Sequence, residues 1–174
     1  MIDYADNDAA QQMQQSDHFA MLPAEPEFYE PGEPRKKPKQ VILVRSELKM
    51  KPGKIASQVA HASMKVFFDR AKSIKGNLSS FGIPPYGKDL TIEMTNDMWD
   101  WKEGEFTKIV LQIQSEDEML VLFAKAHAAG LPCALIQDNG HTVFHGKKTF
   151  TTCAIGPGNP DEINELTGHL KLMN

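Results

Sequence analysis

The chain is poor in cysteine, with only Cys133 and Cys153 in 174 residues. So few thiols exclude a disulfide framework, and no zinc-type cysteine pair is present. Both sit in apolar segments, where reduced, buried thiols are expected. Long apolar runs are also missing; none approaches the roughly 18 residues that a membrane span requires. The start of the chain has neither the basic nor the apolar segment of a signal peptide, so a cytoplasmic protein with no membrane partner is expected. Walker loops and G-x-S-x-G elbows are absent too, which removes the usual phosphate-cradle and serine-hydrolase readings.

Positive charge is lacking in one place only. Residues 1–33 hold eight of the 23 acids and no lysine or arginine. The formal charge of −4 therefore hides a basic body, since residues 34–174 carry 15 acids against 19 bases. Residues 73–106 hold six acids and three bases, so the remainder is more basic still. Such a body suits a polyanion such as nucleic acid, although scattered solubilising lysines give the same charge.

Residues 1–38 combine a glutamine cluster, the acidic bias and five prolines, with no periodicity to repay ordering. They read as a disordered tail. The run "RKKPK" (35–39) closes it, as a phosphate contact or a solvated tether. One domain then fills 39–174. "QVILVR" (40–45) is a β-branched run typical of a strand buried on both faces. From Gly53 to about Lys72 the apolar positions Ile55, Val59, Ala62 and Val66 recur at helical spacing. A strand at 107–113 follows, then a helix at 115–129 with Ser115 as N-cap and Gly130 as its stop. Strands at 132–137 and 149–155 come next, and Gly156-Pro157-Gly158 is expected to break the chain. Asn159 caps a last helix with Pro160 at its first position, closed by Gly168. The order β-α-β-α-β-β-α predicts an α/β sandwich: a small mixed sheet, helices on its faces, and the last strand antiparallel. Residues 73–106 fit none of this and read as a long acidic insertion. Its Trp99 and Trp101 can serve as a base-stacking platform or pin the loop to its own domain.

In open α/β sheets, ligands bind beyond the carboxyl ends of the parallel strands. Two polar, glycine-punctuated joints lie there: "SELKMKPGKIASQVAHA" after the first strand and "DNGHTVFHGKKT" after "ALIQ". On the helix of the first joint, Lys54, Gln58, His61 and Lys65 share one stripe, about a right angle from the apolar one. That stripe is either a solvated face or the wall of a site. Glutamine and histidine are poor choices for solubility alone, and Lys54 in the first turn opposes the helix dipole unless an anion is held near it. In the second joint Asp138-Asn139-Gly140 is a tight-turn signature, flanked by Thr142 and Thr149. His141 and His145 have a metal-ligand spacing, but the glycines around them argue against a helix and no third ligand is evident. No metal and no cofactor is expected.

These pieces resemble the peptidyl-tRNA hydrolase 2 family, the type found in archaea and eukaryotes. The matching stretches are "VILVRSELKMKPGKIASQVAHA" (41–62), "LIQDNGHT" (135–142) and "AIGPGNPDEINELTGHLKL" (154–172). The resemblance implies a three-layer αβα sandwich with a four-stranded mixed sheet. It also implies hydrolysis of the ester joining a peptide to tRNA, which recycles tRNA from stalled translation, and a homodimer. By position it places catalytic roles on Lys54, Asp138, Thr142 and Thr149, and substrate contacts on Gln58, His61, Lys51 and His141. Two departures stand out. Lys51-Pro52-Gly53-Lys54 replaces the common Gly-Lys-Gly-Lys, and Asp138-Asn139-Gly140-His141 replaces Asp-Ala-Gly-Arg. On this reading Lys54 supplies charge to the oxyanion or a phosphate. Asp138 orients Lys54 and water or acts as base, and a threonine either attacks or positions water. The rival reading is a non-catalytic adaptor that binds tRNA or protein on the same fold. It has no need of Lys54, Asp138 and the threonines together.

Overall fold

The computed structural model describes residues 36–74, 89–141 and 143–174. The expected tail up to residue 35, the centre of the insertion (75–88) and Thr142 lie outside the described residues. The elements in chain order are β1 (Lys39–Arg45), α1 (Pro52–Phe68), β2 (Ala71–Ile74), β3 (Asp89–Ile92), α2 (Asn96–Glu103) and β4 (Lys108–Ile113). Then come α3 (Glu116–Ala128), β5 (Cys133–Asp138), β6 (Thr149–Gly158), α4 (Pro160–Thr167) and β7 (Lys171–Leu172).

The main sheet has five strands in the order β5-β6-β1-β4-β7. β1 and β4 run parallel, while β6 is antiparallel to both β1 and β5. The expectation of four strands is therefore corrected to five. The extra one, β7, pairs antiparallel with β4 through only Leu111–Leu172 and Gln112–Lys171. Its two residues are too few to show a period in sequence.

β1 sits in the middle because Val41, Ile42, Leu43 and Val44 are apolar on both faces, and all four are buried. Val41 and Leu43 join a cluster with Ile113, Met119, Leu122, Ala126, Cys153, Ile155 and Ile163, beneath α3 and α4. Ile42 faces the opposite way, into a cluster with Ala62, Val66, Met98, Ala134, Ile136 and Ala154, beneath α1 and α2. Helices thus cover both faces of the sheet. No helix among the described residues is long and apolar enough to cross a membrane.

Three boundaries move. α1 ends at Phe68, and Ala71–Ile74 pairs with Asp89–Ile92 as a separate two-stranded ribbon. The described part of 73–106 is therefore built, with β3 and α2 inside it. Trp101 pins α2, donating its Nε1–H to the Thr107 carbonyl at 2.8 Å and stacking on Phe67 and Phe106. Trp99 stays exposed. Nor does Gly156-Pro157-Gly158 break β6. Between the pairs Val41–Ile155 and Lys39–Gly158 β6 carries one more residue than β1, and this bulge takes up the proline, which has no ladder donor. Gly156 has φ +87°, and a Cβ there would meet the Lys39 carbonyl at 2.5 Å.

The basic run before β1 pairs with groups on the surface of its own domain. Lys36 pairs with Asp161 at 2.6 Å, Lys37 bonds Glu105, and Lys39 donates to the Asn164 side chain at 2.5 Å.

Candidate active site

Lys51 is the N-cap of α1, Pro52 takes the first helical position, and the Lys51 carbonyl accepts the amides of Lys54 and Ile55 at 2.9 and 3.0 Å. Proline is pre-set for this position, where a donor would be wasted. The helix therefore begins abruptly, and Lys54 projects from its first turn toward Asp138, the last residue of β5. The Lys54 ammonium donates to Asp138 Oδ2, and Gln58 Nε2, one turn further on, donates to the same oxygen at 2.9 Å. The other oxygen, Oδ1, accepts the Gly140 amide at 2.8 Å. Asp138 thus uses one oxygen to close its own turn and the other to hold the helix. Gly140 is required there: its φ is +82°, and a Cβ would lie 2.6 Å from the Lys147 carbonyl.

The Lys54 side chain is 17% exposed and that of Asp138 12%, so the pair lies at the rim, mostly shielded. The Lys54 hydrogen bond holds the Asp138 carboxyl below its usual value. Desolvation pushes the other way, while the Gly140 amide, the Lys54 charge and Gln58 add to the lowering. A carboxylate held this firmly as an anion is a weak proton acceptor and a strong orienting group.

Gln58 is 2% exposed. Its Oε1 accepts the Thr151 hydroxyl at 2.6 Å and its backbone carbonyl accepts the Thr152 hydroxyl at 3.2 Å. A hydroxyl donor on one side and an acceptor-only carboxylate on the other leave the amide a single orientation. Gln58 is thus buried behind the pair and bonded to the Asp138 carboxylate.

Thr151 was not anticipated, and a bulge explains why. Ile136 pairs with Thr152 and Gln137 with Phe150, which leaves Thr151 without a partner on β5. The extra residue turns Thr151 and Thr152 to the same side, toward α1, while Phe150 and Cys153 pack beneath α3 and α4. Strict alternation would separate the two threonines. The available signal was compositional: "TFTTC" places hydroxyls where a buried strand normally carries valine or isoleucine. Arg45, at the end of β1, holds this point, donating to the Phe150 carbonyl at 2.7 Å and to Glu116 at 2.5 Å.

Around this centre lie the other described candidates. Thr149 stands opposite Asp138 in the β5–β6 register, but its hydroxyl donates to the Lys147 carbonyl at 3.0 Å. His61 is exposed on α1 with its Nε2 3.3 Å from the Ser57 hydroxyl. Lys51 is exposed at the helix start and His141 is exposed in the turn. Lys49, Lys51, Lys147 and Lys148 are exposed and form no ion pair among the described residues. By contrast Lys36, Lys37, Lys65, Lys72 and Lys102 each pair with a carboxylate. Among the described residues, exposed lysines without an ion pair thus flank both joints, and Lys125 and Lys171 are further examples elsewhere.

Lys54 and Asp138, both within the stretches quoted for the resemblance, are thus hydrogen-bonded to each other. The family profile described as Peptidyl-tRNA hydrolase PTH2 matches residues 38–173. A peptidyl-tRNA hydrolase of Methanocaldococcus jannaschii is 34% identical over 136 residues, 78% of this chain and 99% of the relative. Relatives of the same name from Thermococcus sibiricus and Sulfolobus acidocaldarius are 36% and 35% identical, each over 78% of this chain and 97% and 99% of their own length. The match spans the sheet, both joints and the Lys54–Asp138 centre, and the chain belongs to the peptidyl-tRNA hydrolase PTH2 family.

Proposed function

We propose that this chain hydrolyses the ester between peptide and tRNA in peptidyl-tRNA, with Lys54 and Asp138 at the centre of the reaction. The observation that carries the reading is the Lys54–Asp138–Gln58–Thr151 chain of hydrogen bonds at the rim, in a member of this family. Attack on an ester carbonyl moves negative charge onto its oxygen. A fixed cation beside that oxygen lowers the barrier without reorganising. Lys54 supplies the cation, or holds the adjacent phosphate. Asp138 aims Lys54, and Gln58 with Thr151 fixes Asp138. The family pattern assigns Thr142 and Thr149 to position water or the ester, with His61 and His141 as further contacts.

Lys49, Lys51, Lys147 and Lys148 fit the anionic arm of the substrate: exposed ammonium groups with no carboxylate to satisfy them gain most from displacing counterions on an RNA backbone. The proposed working place is the cytoplasm. The proposed active form is a homodimer, on the family precedent, and sedimentation tests it. The deciding experiment incubates the purified chain with peptidyl-tRNA and with free aminoacyl-tRNA. Cleavage of the first and sparing of the second is expected; no release of peptide overturns the reading.

A further inference from the structure

The outer face of α1 is unusual for a solvated helix. Ser57, Ala60, His61, Met64 and Phe68 are all exposed, and none carries a carboxylate or an ammonium. Met64 is 54% exposed and Phe68 51%. Exposed helix positions are ordinarily filled with Glu, Lys and Arg, which cost nothing in water and keep a surface soluble. Ser57, His61, Met64 and Phe68 recur at i, i+4, i+7 and i+11, an apolar-leaning stripe on the side away from the core. The adjoining charges, Lys65 and Asp69, neutralise one another across 2.6 Å.

The stripe starts at the catalytic centre. Ser57 and His61 lie about one and two turns beyond Lys54, displaced about 60° and 20° around the helix at 100° per residue. From there it follows α1 away from the rim for about 16 Å, at 1.5 Å per residue. The surface around Lys54 is therefore divided. Unpartnered lysines occupy the joints beyond the strand ends, and an uncharged stripe runs down the helix.

A substrate with an ester at Lys54 has two arms of opposite character. One is polyanionic; the other is an acyl peptide with a neutral backbone and variable side chains. We infer that the Ser57–His61–Met64–Phe68 stripe of α1 is the binding surface for the acyl peptide arm, and that it extends over about five extended residues at roughly 3.3 Å each. The inference rests on the hydrolase reading above and adds where the peptide lies. Met64 suits the task because a flexible thioether adapts to many side chains, so contact with apolar peptides needs no defined sequence. Charge complementarity selects this occupant: the neutral arm takes the neutral surface, and the anionic arm takes the lysines.

The test compares two substrates on the same tRNA, one bearing an N-acetyl-aminoacyl group and the other an uncharged apolar pentapeptide. Wild type should turn over the longer one with a kcat/KM about fivefold or more higher, because it alone buries apolar area on the stripe. Met64→Glu and Phe68→Glu, at exposed positions, should each collapse that ratio toward one, and Met64→Leu should keep it. An active enzyme whose ratio the glutamates do not move overturns the inference alone. So does an equal loss on both substrates with a shift in sedimentation from dimer to monomer, which assigns the stripe to a second copy of this chain. Failure of wild type to cleave either substrate overturns the hydrolase reading and this inference with it.

Discussion

On one face of the sheet α3 and α4 bury Met119, Leu122, Ala126 and Ile163 against Val41, Leu43, Ile113, Cys153 and Ile155. On the other, α1 adds polar ties to its apolar contacts from Ala62 and Val66. Gln58 joins Thr151, Thr152 and Asp138. Further along, Ser63 donates to the Gln40 side chain at 2.7 Å, and Gln40 donates to the Gly156 carbonyl at 3.2 Å. Apolar packing is non-directional, so it holds a helix down without fixing the angle of any one side chain. Hydrogen bonds between buried groups cost more to leave unmade than they return when formed, and so they specify geometry. Both faces bury apolar side chains, but only the α1 face adds the polar ties that hold Lys54 and Asp138 together.

Four measurements can break or sharpen that division. The largest effect is expected from Lys54→Ala and Asp138→Asn, each lowering kcat/KM on peptidyl-tRNA by about 10²–10³ or more, as for loss of a transition-state donor. Circular dichroism should show the fold retained, and wild-type-like turnover in either variant would sink the site. On the apolar face Met119→Ala should behave in the opposite way. Urea unfolding is expected to show a loss of about 2–5 kcal/mol, with kcat per folded molecule unchanged. If activity fell with it, the two faces would not be separable.

Thr151→Val tests the positioning chain at intermediate size. It keeps the shape but leaves the Gln58 carbonyl without its donor, a cost of about 1–3 kcal/mol. The expected result is a kcat loss of about tenfold, with Thr151→Ser restoring most of it. Equal activity in the valine variant would show that Gln58 needs no help to orient Asp138. The smallest effect is in acid. The Asp138 carboxyl is held below its ordinary 3.8 when folded. Its contribution is therefore fully present above that value and is lost as pH falls through the lowered one. Melting temperatures of wild type and Asp138→Asn should differ modestly at neutral pH and converge in strong acid; a constant gap would mean the ion pair adds nothing.

Much of this was legible in the chain. Four of the five sheet strands, α1, α3 and α4 follow from periodicity, capping and glycine stops. The rim position of Lys54 and Asp138 follows from topology, because parallel strands bring their carboxyl-end joints together. Asp138-Asn139-Gly140 announced a tight turn, and the turn is there, with Asp138 serving both it and the site. Elsewhere local pattern was insufficient. The ribbon of β2 and β3 has four residues a strand, too short for a period to emerge from an acidic, glycine-rich stretch. β7 is shorter still.

The sequence by itself determined four strands of the main sheet and the helices α1, α3 and α4, and it placed a lysine and an aspartate on one rim, because those outcomes depend on local spacing and chain order. Tertiary structure alone decided which hydroxyl reaches the site and which amide is buried. A bulge is a mismatch between two paired strands, so the hydroxyls of "TFTTC" do not by themselves say that Thr151 rather than Thr149 will meet Gln58. Nor does the phase of α1 say that Gln58 will be sealed while His61, about 60° around the helix from it, stays in water. That is settled by how far β5 and β6 extend beneath the helix, a property of the packed sheet and of no single segment.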